Sequence, residues 1–371
     1  MNKPATYNGL AGLWARCPPL CTIIYSNYPA RFLHDSSLPH TFAVTKAGRF
    51  CQCESAILNM SRDKVIKLLG KFPEKPKNLN LVSQGLVVKN HYTIETLEYN
   101  VEDGEKVKSL LLRPRDYDSA KAYPVVLLIH QHGGEFELGK SEPAGLTGNP
   151  ANHYGPELCK LGFVVFCPDM LCFEERRPSE EILKQNYGVM LGDGYEYWEY
   201  FRRILAGSTL QAKYIHDLSI AVDVIQTLDN VDPNRIATMG HSLGGQEAVW
   251  FAWFDQRIKV IVCSSGLSTI KAIEGNLVVH SKTLYLPNFF KECKADIEIL
   301  FEEIFPRPLF VSSGKNDWLF PLHGLNFLVG QLEQIYKDEN REKFKSVIFE
   351  GGHEYPHEVR QRAYEFLTNW L

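Results

Sequence analysis

Long apolar runs are what this 371-residue chain most plainly lacks, since none approaches the ~20 residues a helix needs to cross a bilayer. No membrane partner is therefore expected. An excess of charge of either sign is also missing: Lys and Arg number 40, Asp and Glu 44, for a formal net charge of −4. So small an imbalance creates no field for holding nucleic acid, and no nucleic-acid partner is expected. The first residues show no basic region followed by an apolar core and a small-residue cleavage site. The nine cysteines follow no regular spacing, and Cys167 and Cys263 sit inside apolar runs where a thiol packs as a small hydrophobe. Free thiols in a reducing, cytoplasmic compartment are the expectation. Cys17, Cys21, Cys51 and Cys53, with His34 and His40 between them, do not have zinc-finger spacing, and no metal is expected. Internal repeats and low-complexity tracts are absent as well.

What is present is an ordinary globular composition, 44% hydrophobic and 23% charged, in a chain long enough for one large α/β domain or two smaller ones. Residues 1–59 carry neither a period of 2 nor one of 3.6 over any useful length, which predicts a poorly ordered N-terminal extension. Ser61 then reads as the N-cap of a helix carrying Val65, Ile66, Leu68 and Leu69. Two alternating runs, 92–99 and 106–112, are joined by Glu102-Asp103-Gly104 and predict an antiparallel hairpin.

After Pro124 the pattern changes to short, continuous apolar runs: 125–129, 163–166, 236–238, 260–262, 309–311 and 347–349. Strands buried on both faces read this way. Helical patterns lie between them, notably 212–228 and 322–336. The alternation predicts an α/β fold with a mostly parallel central sheet, helices on both faces and antiparallel strands at the N-terminal edge. The catalytic domain is expected over 60–371, interrupted by aromatic-rich excursions near 170–210 and 267–305.

Chemistry concentrates at Gly240-His241-Ser242-Leu243-Gly244, which follows one strand-like run and opens a helix-like stretch. Glycines on either side of a serine let the backbone turn sharply enough to lift the hydroxyl into a cleft. Ser242 is thus the candidate nucleophile. Such a serine needs a base, and the base needs a carboxylate to orient it. Downstream, the run 308–312 leads into Asn316-Asp317, and the run 346–349 leads into Gly351-Gly352-His353. Asp317 and His353 therefore fall on loops at successive strand ends, where clefts of parallel sheets form.

Asp296 and Asp338 are weaker candidates for the acid, being placed in helical or mobile segments. His323 falls at a helix start, His357 one turn into the final helix, and His241 reads as a packing neighbour rather than the base. Donors for a developing oxyanion are expected from the backbone N–H of Leu243 and of His132, the latter in the loop His130-Gln131-His132-Gly133-Gly134.

Ser242, Asp317 and His353 in this order resemble the α/β-hydrolase fold. The segment from His130 to Ser141, with Cys167-Pro168-Asp169 after the next strand, resembles the dienelactone-hydrolase-related group within it, from about residue 90 to the C-terminus. Dienelactone hydrolases proper use a cysteine where this chain has Ser242. The resemblance implies hydrolysis of a small-molecule ester through an acyl-serine intermediate, with no cofactor. The same triad would also serve a prolyl-oligopeptidase-like peptidase acting on short peptides, or survive in a non-catalytic binding protein.

Gly134-Glu135-Phe136-Glu137-Leu138-Gly139-Lys140-Ser141 also matches the phosphate-loop pattern of nucleotide-binding proteins. Two carboxylates within the loop would repel polyphosphate, and the sequel is too rich in Gly and Pro for the required helix. Lys140 is expected to pair with a nearby acid or line the cleft rim. Phe173-Glu174-Glu175-Arg176-Arg177-Pro178 reads as a solvated, salt-bridged turn, although an arginine such as Arg177 could hold a substrate carboxylate. Trp198, in the aromatic run 195–201, and Trp318, next to the acid, are the remaining pocket candidates.

Overall fold

In the computed structural model, which describes residues 52–371 apart from 119 and 186–189, the strands are β1 (Val82–Val88), β2 (Tyr92–Glu102), β3 (Glu105–Pro114), β4 (Tyr123–Ile129), β5 (Val164–Pro168), β6 (Val231–His241), β7 (Ile258–Ser264), β8 (Leu309–Gly314) and β9 (Phe344–Phe349). They form one sheet in the order β1-β2-β3-β5-β4-β6-β7-β8-β9. Strands β4 to β9 run parallel, whereas β1 to β3 are antiparallel and β3 joins β5 antiparallel. The antiparallel hairpin of β2 and β3 turns at Asp103-Gly104, where Gly104 takes a φ of 91°. β1 carries no expectation above: all seven of its residues are exposed, so it bears no buried-face alternation to read.

The helices are α1 (Gln52–Leu69), α2 (Tyr154–Lys160), α3 (Glu180–Gln185), α4 (Gly194–Leu205), α5 (Leu210–Ile225), α6 (Leu243–Phe254), α7 (Ile270–Gly275), α8 (Phe289–Cys293), α9 (Phe301–Ile304), α10 (Leu322–Ile335) and α11 (His357–Trp370). Alternation along β4 divides the core into two layers. Val125, Leu127 and Ile129 pack with Leu218 of α5 and Trp250 of α6, while Val126 and Leu128 pack with Leu158 of α2 and Leu367 of α11. Among the described residues no helix is long and apolar enough to cross a membrane.

Two expectations need correction. The expected extension falls mostly outside the described residues, but 52–59 belong to α1, so Ser61 lies within a helix rather than capping one. The added turns are rich in good helix formers (Gln, Glu, Ala, Leu, Met), and Arg62 anchors α1 by donating to the final carbonyls of α6, Trp253 O at 2.9 Å and Phe254 O at 3.0 Å. The turn 173–178 is salt-bridged as expected but only partly solvated, with Glu175 exposed and Phe173 and Arg176 buried. Arg176 is buried, pairing with Glu105 and, at 2.7 Å, with Asp217, and Glu174 receives Lys140 Nζ at 2.8 Å. These partners come from β3, α5 and the loop after β4, so local composition could not reveal them.

The strand order reverses at β4: the chain steps outward to β5, then crosses back to β6 on the other side. Loops leaving β4 and β6 part there and open a crevice at the carboxyl ends of the strands.

Candidate active site

Ser242 occupies the turn from β6 into α6 with φ 57° and ψ −123°, a strained conformation for a residue with a side chain, and its N–H donates to Ser264 O at the end of β7 at 2.8 Å. The flanking glycines are demanded by close approach. A Cβ on Gly244 would stand 2.1 Å from Ile129 O, and one on Gly240 2.2 Å from the carbonyl carbon of Gly244. The helix start is thereby pressed against the end of β4.

Asp317 follows β8 and His353 follows β9. The two loops are stitched together by Lys315 N–H to Phe349 O (2.9 Å) and Asn316 N–H to Gly351 O (2.8 Å). His353 Nε2 lies 2.8 Å from Ser242 Oγ, and its Nδ1 lies 2.8 Å from Asp317 Oδ2. The other oxygen of Asp317 accepts the backbone N–H groups of Leu319 and Phe320, both at 3.0 Å. An ionised carboxylate only accepts, so this network assigns the proton to Nδ1 and leaves Nε2 free to accept from the serine hydroxyl. Phe320 stacks on the imidazole at 5.8 Å.

The remaining candidates lie elsewhere. Asp296 accepts the N–H groups of Ile270 and Lys271 at the start of α7, and Asp338 begins a 3₁₀ turn before β9. His323 is the second residue of α10 and His357 the first of α11. His241 is buried between the His353 and Tyr355 rings, with Nδ1 3.2 Å from Ser264 Oγ, and burial pushes its pKa well below the usual range.

The N–H of Leu243 belongs to the first turn of α6, where backbone donors have no intrahelical acceptor. Opposite it runs the loop after β4, opened by Gly133 and Gly134 at φ 58° and 74°. His132 Nδ1 accepts the Gly134 N–H at 3.1 Å, and its Nε2 lies 3.2 Å from Glu196 Oε2. Glu196 is fully buried on α4; it also receives Ser281 Oγ at 3.1 Å, Lys282 N–H at 3.3 Å and Lys282 Nζ at 3.1 Å. Burial alone would raise its pKa, but His132 and Lys282 outweigh that and hold it at about 2. His280 stands beside them, pushed down to about 3 by burial with the nearby His132 and His353 adding to the effect, and is therefore neutral. Glu196, His280 and Lys282 carry no local sequence signal; only the meeting of the two excursions brings them to the serine.

Two cavities meet at Ser242. One of about 540 Å³ is walled by polar side chains including Gln131, Asn149, Asn152 and Glu354; the other, about 520 Å³, by Phe136, Val279, His280, Lys282 and Leu319. The expected pocket residues line neither. Trp318 is 64% exposed, because the chain folds back at 319 and 320 to satisfy Asp317. Arg177 pairs with Glu137, and Trp198 is half-exposed on α4. Nor is there a phosphate cradle: Lys140 is buried against Asp169 (3.4 Å), Glu174 (2.8 Å) and Glu175 (2.5 Å), and turns rather than a helix follow it.

The chain is similar, with 29% identity over 319 residues, to YtaP of Bacillus subtilis (strain 168), whose name assigns it no more than a hydrolase class; the match covers 84% of this chain and 98% of that one. A glucuronoyl esterase from Solibacter usitatus superposes with a TM-score of 0.60 over 83% of this chain and 91% of its own, at 16% identity. An acetyl xylan esterase from Paenibacillus sp. R4 does so with 0.53 over 85% and 94%, at 15% identity. Similarity at such identities is one of fold, the α/β-hydrolase fold. The family model for dienelactone hydrolases matches residues 117–332, more than half of the sequence, and the chain belongs to the dienelactone hydrolase family.

Proposed function

We propose that this chain is a serine carboxylesterase acting on a small-molecule ester. The observation that carries the reading is the unbroken line from Asp317 through His353 to Ser242, with both hydrogen bonds at 2.8 Å. Ser242 Oγ attacks the ester carbonyl as His353 Nε2 takes its proton, and the oxyanion meets the Leu243 N–H and an amide of the loop after β4, for which His132 is the choice. The imidazolium, steadied by Asp317, returns the proton to the departing alkoxide and leaves an acyl-serine. Water, deprotonated by the same nitrogen, then attacks the acyl carbon; carboxylate leaves and the serine regains its proton. No cofactor enters any step.

A cytoplasmic, reducing setting suits Cys159, Cys167, Cys172, Cys263 and Cys293, which are free thiols. The test is incubation with a fluorophosphonate probe and with nitrophenyl acetate. Covalent labelling at Ser242 together with steady turnover is expected; an unlabelled protein without turnover would mean a hydrolase-fold binding protein.

A further inference from the structure

Helix α4 is built with its apolar face outward. Glu196, Glu199 and Arg203 are buried, whereas Trp198, Phe201 and Leu205 are 44%, 56% and 89% exposed. An amphipathic helix on a globular protein normally turns the other way. The buried face is anchored through Glu196, which holds His132 and Lys282 outside the helix, while Glu199 is paired within α4 to Tyr195 OH at 2.9 Å and Arg203 Nε at 3.1 Å. Rolling the helix to hide its aromatic rings would pull Glu196 from His132 and leave Lys282 without its buried partner, at a cost above that of the exposed apolar surface.

The outward rings are ordered among themselves. Tyr197 stacks on Phe201, Trp198 stacks on Tyr195, and the Arg202 guanidinium lies 4.9 Å over Trp198. Tyr197, Trp198, Phe201 and Arg202 line, with Met190 and Leu205, a groove of about 490 Å³. This groove adjoins the cavity at Ser242: Asp193 lines both and faces Lys282 Nζ at 3.5 Å, and that Nζ lies 4.1 Å from the centre of the Tyr197 ring. Exposed apolar surface gathered in a groove marks a binding site, and its position beside the cavity at Ser242 points to part of the substrate as the occupant rather than a second copy or a lipid surface.

We propose that the α4 groove is a remote subsite that holds an extended apolar substituent, alkyl or aryl, of the ester whose carbonyl sits at Ser242. The proposal rests on the esterase reading. Each methylene that enters the groove is expected to raise kcat/KM by up to about fourfold.

The experiment compares nitrophenyl esters with acyl chains from acetyl to decanoyl, and acetate esters of alcohols over the same lengths, for wild type, Phe201→Ser and Trp198→Ala. In one of the two series kcat/KM should climb by about tenfold or more from shortest to longest. Both variants should lose most of that climb while hydrolysing the shortest ester within about twofold of wild type. A flat pair of series, or a climb that both variants retain, overturns the subsite while leaving the esterase reading intact if acetyl esters still turn over. A flat pair of series combined with dimers that Phe201→Ser dissociates in sedimentation, or with phosphatidylcholine vesicle binding that it abolishes, assigns the face to another occupant and overturns the proposal as well. No turnover of any ester by wild type overturns the esterase reading and the subsite with it.

Discussion

Glu196 Oε2 and His132 Nε2 lie 3.2 Å apart, and this bond ties α4 to the loop that borders Ser242. Glu196→Ala removes the grip on His132 and leaves Lys282 without its best-buried partner. A loop displaced by about 1 Å is enough to cost on the order of a hundredfold in rate. The expected result is a fall in kcat on nitrophenyl acetate of about that size with KM changed far less. Equal loss in both, or none, contradicts a positioning role for Glu196.

Asp317→Asn keeps the loop but reverses the proton assignment of His353, because an amide NH₂ facing Nδ1 favours the wrong tautomer. A drop in kcat of about ten thousandfold is expected, and Ser242→Ala should cost about as much or more. The double variant should be hardly slower than Ser242→Ala alone, since the residues act as one unit. Additive losses in steady-state assays would show that they do not.

His280 bears on stability against pH. Burial holds it at about 3 in the folded protein, against 6.5 when exposed, so the unfolded chain binds the proton first and stability is lost as pH falls through that window. His130, held at about 4 by burial, acts in the same direction. Asp169 and Glu247, each raised to about 7 by burial, act oppositely and favour the folded state at the acid end. His280→Gln removes one acid-side penalty. Its Tm relative to wild type should therefore improve steadily from pH 7 to pH 4 in scanning calorimetry, whereas parallel Tm curves would show that His280 does not titrate this way.

Lys140→Met leaves Asp169 and Glu174 facing one another without their shared cation. Breaking a buried ion pair from one side costs about 3 kcal/mol or more, and a loss of that order is expected in urea unfolding. Magnesium-ATP titrated into wild type should give no binding heat, because the lysine and Ser141 are already committed to Glu174. A saturable heat that Lys140→Met abolishes would restore the phosphate-loop reading.

The parallel strands and the places of Ser242, Asp317 and His353 were legible because their signals are local: short apolar runs, a turn that only glycine permits, and polar residues directly after a strand. The hairpin of β2 and β3 was legible for the same reason, while β1, exposed on both faces, left no pattern. The aromatic run 195–201 could not say which stripe of α4 faces inward. Ordinary transfer energetics would bury Trp198 and Phe201; the buried partners of Glu196, His132 and Lys282, reversed that.

The sequence by itself therefore determined the class of fold and the order in which Ser242, Asp317 and His353 follow their strands, because strand ends and tight turns are encoded by neighbours along the chain. Only the tertiary structure decided what surrounds Ser242. His132 and Glu196 are 64 positions apart, and the pairing of charges across such separations depends on how two excursions fold over one cleft, where desolvation makes each buried charge seek whichever partner the packing brings within reach.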